Sequence, residues 1–264
     1  MEKQESKIRF PTFPQPRLLR SITSYGIRIL RARSLRLKPQ GTTGVDGVAT
    51  HARNTFAYLE LVQAGTHSVA NSLVVIEDLV QLKAADPRIR GILGENFLGH
   101  FDMLIDNRQH TLCLDDSNTL AASVKGERLA LAEPRGSQVD LPFTKPLIVS
   151  LKLSAFDPAT VLLRLDSGSI APLLYSEITR IRKGSIAPAS HLKRATNGGE
   201  QAFAVLPPQD LHVGVHSIQN VSFVVPLNSV GGKGVPREDG LLPTMAFQRV
   251  FISYQAHYAT LEPW

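Results

Sequence analysis

The stretch TVLLRLDSGSIAPLLYS, residues 160 to 176, decides how this chain is read. An apolar run ends on Asp166-Ser167-Gly168-Ser169, and an apolar run then resumes at Ile170. An isolated ionised carboxylate in such surroundings is costly unless it is paired or protonated. Asp166 is therefore either a strand end turning into solvent or a carboxylate whose perturbed ionisation is the point of its environment.

Working outward, the chain repeats itself. An offset of 149 residues lays AGTHSVANSLVVIEDL (64 to 79) on VGVHSIQNVSFVVPLN (213 to 228). It matches Gly65 with Gly214, His67 with His216, Ser68 with Ser217, Asn71 with Asn220 and Val75 with Val224. The same offset, with no gap, pairs Pro87-Arg88 with Pro236-Arg237, Gly91 with Gly240 and Leu93 with Leu242. Carried backwards it pairs Ile29, Arg31 and Arg33 with Ile178, Arg180 and Arg182. Self-similarity at one spacing over so long a stretch means two copies of one structural unit.

Each unit reads as mostly β. LIVSLKL (147 to 153), TVLLRL (160 to 165), LHVGVHSI (211 to 218) and VSFVVPL (221 to 227) are β-branched or alternating runs bounded by Gly, Pro, Asn and Asp. PLLYSEITRIRK (172 to 183) starts at a proline and has helical apolar spacing, which predicts a short helix. ATNGGEQAFAV, around Gly198-Gly199, predicts a hairpin tip.

The joined pattern resembles the retropepsin-like aspartic proteases. Its parts are an apolar strand ending in Asp-Ser-Gly-Ser, a glycine hairpin, EDGLLP (238 to 243), a short helix and a closing strand pair. More narrowly, DGLLPTMAFQRVFISYQAHYATLEP and RGILGENFLGHFDMLIDNRQHTLCL resemble the ends of bacterial aspartyl-protease-like units. The resemblance implies an all-β protein with short helices, made of two tandem acid-protease β-barrel lobes. It divides the chain into a basic, proline-containing arm (1–24), a truncated first lobe (25–123), a linker (124–140) and a complete second lobe (141–264).

For the site, the resemblance implies that Asp166, Ser167, Gly168 and Ser169 form the catalytic loop and that Gly198 and Gly199 belong to a substrate-binding flap. The hydroxyl after the aspartate would fix a neighbouring loop, and the glycine would let two backbones approach closely. The apolar-apolar-Gly segment beside that loop is Ile92-Leu93-Gly94 in the first copy; the second has Leu241-Leu242-Pro243, a departure from the general pattern. An extended peptide or protein substrate would lie along the cleft between lobes, held by main-chain hydrogen bonds. No cofactor is implied.

Peptide hydrolysis by this chemistry needs two carboxylates that share one proton, one activating water while the other polarises the scissile carbonyl. The offset sets Asp166-Ser167-Gly168-Ser169 against Arg17-Leu18-Leu19-Arg20, and the first aspartate in the chain is Asp46. Before that position lie Pro11, Pro14 and Pro16, which suit a central strand poorly. Three readings stay open. The chain is an inactive or impaired aspartic endopeptidase, with its start upstream of Met1 or its gene disrupted; or a non-enzymatic peptide-binding or structural relative; or a homodimer that brings two copies of Asp166 together.

Composition sets the remaining bounds. The 264 residues are 43% hydrophobic and 20% charged, as in soluble globular proteins. No window of about 18 uncharged apolar residues suggests a transmembrane helix, and the first twenty residues contain no apolar signal core, so the compartment stays open. Cys113 alone excludes an internal disulfide and a cysteine-rich zinc site. Residues 1 to 40 carry ten Lys/Arg against Glu2 and Glu5, whereas the remainder is slightly acidic. Such an arm could meet phosphates, but the ordinary reading is a solvated, partly disordered end, and nucleic acid is not the expected partner. His212 and His216 would share a face if HVGVH were one strand, yet no acidic or cysteine ligand is suitably spaced, so no metal is expected. Asp102 and Asp106 read as strand-end caps.

Overall fold

The computed structural model describes residues 7–9, 27–29, 37–46, 51–76, 87–89, 91–115, 118–135, 146–154, 160–175, 188–196, 199–227 and 238–264. These residues are mainly β, with a few short helices, and form three sheets.

The largest sheet has nine strands and curls into a half-barrel. Its order is β13 (Ser190–Thr196), β14 (Gly199–Val205), β17 (Val224–Pro226), β12 (Leu173–Leu174), β18 (Gly240–Pro243), β11 (Thr160–Asp166), β10 (Ile148–Leu153), β15 (Gln209–Val213) and β16 (His216–Val221). Burial follows position in the sheet. In β11 every residue from Leu163 to Asp166 is buried, as a strand covered on both faces should be. In β10, Ile148, Val149, Leu151 and Leu153 are buried while Ser150 and Lys152 are exposed. The edge strand β16 has no fully buried residue.

The five-stranded sheet runs β3 (Gly41–Asp46), β4 (His51–Ala64), β5 (His67–Ile76), β2 (Ile27–Ile29) and β6 (Gly91–Ile92). Its pairings reproduce those of the larger sheet. β3 on β4 matches β13 on β14, and the long β4–β5 hairpin matches β14 with β15 against β17 with β16, all at the 149-residue offset. Gly65 (φ 62) and Gly214 (φ 58) open the two tight hairpin turns, where a left-handed first residue suits strand twist. Asn71 and Asn220, again 149 apart, are both left-handed, at φ 51 and 59.

The offset is not constant throughout. Arg28 pairs with Val75 and Ile92, and Leu173 pairs with Val224 and Leu241, so Arg28 holds the place of Leu173 at an offset of 145. The sequence match of Ile29 with Ile178 is therefore four residues out of register with the strand pairing. Counting back from Arg28 as from Leu173 to Asp166 reaches Ser21, not Arg17; residues 17 to 24 lie outside the described residues. Among the described residues, the first copy has no strands corresponding to β10 and β11.

The third sheet joins the copies. Its order is β1 (Lys7–Arg9), β8 (Thr111–Asp115), β7 (Asp102–Asp106), β19 (Arg249–Ser253), β20 (Tyr258–Glu262) and β9 (Glu127–Ala130). The hairpins β7–β8 and β19–β20 correspond at an offset of 147, and both turns carry a left-handed histidine, His110 and His257. The order is thus palindromic, with β7 paired antiparallel to β19 at its centre. One hydrophobic core runs through both copies, with Val74, Phe97 and Met103 of the first and Leu163, Phe247 and Ile252 of the second in a single cluster.

Several local expectations changed. Leu173–Leu174 is a strand where a helix was expected from 172; residues 176 to 183 lie outside the described set. LHVGVHSI is not one strand but the turn of the β15–β16 hairpin, because Gly214 reverses the chain. His212 thus lies opposite Ser217, and His216 opposite Val213. Within 124–140, read as a linker, Glu127–Ala130 is a strand on β20. Asp102 and Asp106 do end a strand, and Asp106 accepts from the Gln109 amide and pairs with Arg249 at 3.0 Å. The stretch GGKG, 231 to 234, lies outside the described residues. No helix among the described residues is long and apolar enough to cross a membrane.

Candidate active site

Asp166 is the last residue of β11, a central strand that pairs parallel with β18 from Leu163↔Gly240 to Asp166↔Pro243. The chain must leave the sheet there, and it does so through a tight loop. The Gly168 amide donates to Asp166 Oδ1 at 2.8 Å, and the Ser169 hydroxyl donates to the Ala171 carbonyl at 2.8 Å. Ser169 is buried, whereas Ser167 is exposed. The hydroxyl that braces the loop is therefore that of Ser169, three residues after the aspartate.

Asp166 is only 6% exposed, and its Oδ2 is buried with no hydrogen-bond partner. Burial pushes its pKa up to about 6; the Gly168 amide, the Arg164 charge and the Ser169 amide pull it down, and burial wins. A carboxylic acid that changes charge near neutrality, with one oxygen uncommitted, suits proton transfer.

Asp166 opens on a cleft of about 90 Å³ built from both copies. The first copy supplies Leu93, Gly94 and Glu95; the second supplies Asp166, Ser167 and Thr244, with Thr244 at the offset position of Glu95. Ile105 and Ile252, equivalent in the two closing hairpins, line it as well. Glu95 begins the one-turn helix Glu95–Leu98, and its charge acts on Tyr254, whose phenol is raised mainly by burial and further by that carboxylate.

Behind the loop lies a buried ionic layer that sequence reading did not single out. Arg164 Nη2 meets Glu238 Oε2 at 2.9 Å with both side chains over nine-tenths buried, and the Tyr175 hydroxyl reaches Glu238 Oε1 at 3.4 Å. Asp239, fully buried, accepts from the Leu162 amide at 2.8 Å and from both terminal nitrogens of Arg135, Nη2 at 2.8 Å. The signal was present in the sequence: Arg164 is the one charge inside VLLRL, and Glu238-Asp239 precede an apolar strand.

Of the flap glycines, Gly199 begins β14 opposite Thr196; Gly198 lies outside the described residues. No group of described residues is arranged to hold a metal ion. Compared with protein-family models and with curated proteins, the chain matches none.

Proposed function

We propose that the chain is an aspartic-protease-like protein of two retropepsin-like lobes whose cleft takes an extended peptide, and that as a single chain it hydrolyses peptide bonds negligibly. The observation that carries this reading is the place of Asp166: buried at the end of a central strand, on a cleft to which equivalent segments of both copies contribute. In a working dyad two adjacent carboxylates share a proton, so that base and acid act on opposite sides of one water. Asp166 can play one of those parts. Among the described residues, the first-copy carboxylate on the cleft is Glu95, placed on a helix after the apolar-apolar-Gly segment, not on a strand-end loop.

Pairing two chains through Asp166 is less favoured by the arrangement, because Asp166 already faces Leu93 to Glu95 of its own first copy. The test is a hydrolysis assay on denatured protein, run from acid to neutral pH, beside peptide binding followed at the Gly168 amide by NMR. Binding without pepstatin-sensitive cleavage is expected. Pepstatin-sensitive turnover by a monomer, abolished in Asp166→Asn, refutes the inactive reading, and absence of any peptide binding refutes the cleft.

A further inference from the structure

The Arg164–Glu238 pair lies close to Asp166, one of two carboxylates that line the cleft among the described residues. On a strand, residues two apart share a face, so Arg164 and Asp166 project to the same side of β11, and both line the cleft. Left to itself, a guanidinium there would pair with the uncommitted oxygen of Asp166 and hold it ionised. The parallel register decides otherwise. β18 pairs Leu163 with Gly240, and the Asp239 amide donates to the Leu162 carbonyl at 2.7 Å, so Glu238 falls alongside the beginning of β11. A guanidinium bound to Glu238 is drawn back along the strand, away from Asp166 at its end.

We propose that Glu238 is a positioning residue for Asp166: by holding Arg164 back along β11, it keeps the guanidinium from forming an ion pair with Asp166 and so leaves Asp166 able to carry a proton. The Tyr175 hydroxyl, on the other oxygen of Glu238, fixes that carboxylate in place. Charge balance works in the same direction. A buried Arg164–Glu238 pair is neutral, so a protonated Asp166 leaves the cluster neutral, whereas removing the Glu238 charge makes an ionised Asp166 the neutralising partner. Among the described residues, the other charged or titratable groups that line the cleft are Glu95 and Tyr254.

The consequence for peptide chemistry rests on the functional reading above, but the test does not. It follows the Asp166 carboxyl carbon by NMR titration in the wild type, in Glu238→Gln and in the double variant Arg164→Met, Glu238→Gln. In Glu238→Gln the Asp166 pKa falls by about 1–3 units, the effect of a nearby opposite charge. In the double variant it returns to the wild-type value or above. The double variant also guards against misfolding, since replacing a buried ion pair by neutral groups of like size is tolerated better than removing one partner. An unchanged pKa in Glu238→Gln overturns the proposal. So does a fall in both variants, which would mean that loosening the core had simply hydrated Asp166. Either result leaves the hydrolysis and peptide-binding outcomes to judge the functional reading separately.

Discussion

Leu104 lies directly opposite Phe251 in the six-stranded sheet, and the two are each other's equivalents at the 147-residue offset of the closing hairpins. An antiparallel pair formed by equivalent residues marks a local twofold relation, so the copies meet about this pair. Both side chains are buried, in a cluster with Cys113, Leu120 and Val124. The next residues along, Ile105 and Ile252, point the opposite way and line the cleft. Joining the copies and setting the cleft floor are thus done by alternate residues of the same two strands.

Phe251→Ala should therefore be among the most damaging substitutions. Phe251 is fully buried, and truncating such a ring costs about 3–5 kcal/mol. Urea unfolding should show that loss as a lower midpoint with an unchanged slope. A cost below about 1 kcal/mol would mean that the central pair does not hold the copies together.

Two glycines separate crowding from backbone conformation. A Cβ at Gly240 would overlap the Leu173 carbonyl oxygen and lie 2.9 Å from its carbon, which is backbone and cannot swing aside. At Gly214 (φ +58) the added Cβ meets the Glu127 side chain, which can move, leaving mainly left-handed strain of about 1–2 kcal/mol. Gly240→Ala should cost clearly more than Gly214→Ala in chemical denaturation. The reverse order would contradict the close approach of β12 and β18.

Asp166 makes stability depend on pH in a stated direction. Its pKa rises on folding from the ordinary 3.8 to about 6, so the folded chain holds this proton more tightly. Its contribution is complete below pH 3.8 and is lost as pH rises through 6, about 3 kcal/mol in all. Asp166→Asn keeps the acceptor for the Gly168 amide and removes the titration. The stability difference between variant and wild type should therefore shift in favour of the variant by that amount between acid and neutral pH. A parallel pair of stability curves would exclude a raised Asp166 pKa.

Arg135 ties the stretch before β10 to the fully buried Asp239, and its own pKa is raised by that carboxylate. Arg135→Ala removes that guanidinium from Asp239 and should cost roughly 1–3 kcal/mol, less than a wholly buried pair because Arg135 is 36% exposed. Arg135→Lys should restore part of the loss in thermal unfolding. No loss in Arg135→Ala would show that the Leu162 amide alone satisfies Asp239.

Much of this was legible along the chain. The repeat, the β periodicity and the interruption at Asp166 are local features, and the alternation follows from the pleat. LHVGVHSI misled because an alternating run looks the same whether it continues or folds back at a glycine.

Residue order alone establishes two like β units and an unusual carboxylate at Asp166. Where the chain reverses at Gly214, which residues are equivalent and what surrounds the carboxylate follow from strand pairing and packing. Arg28 takes the place of Leu173 because strand pairing, not residue identity, sets register. Arg164 finds Glu238 across 74 residues of chain, a distance over which no local pattern carries information. Burial, moreover, is a property of the packed assembly: the same Asp-Ser-Gly-Ser at a solvated strand end would titrate as an ordinary carboxylate, and it is the covering of β11 on both faces that makes Asp166 hold its proton to about pH 6.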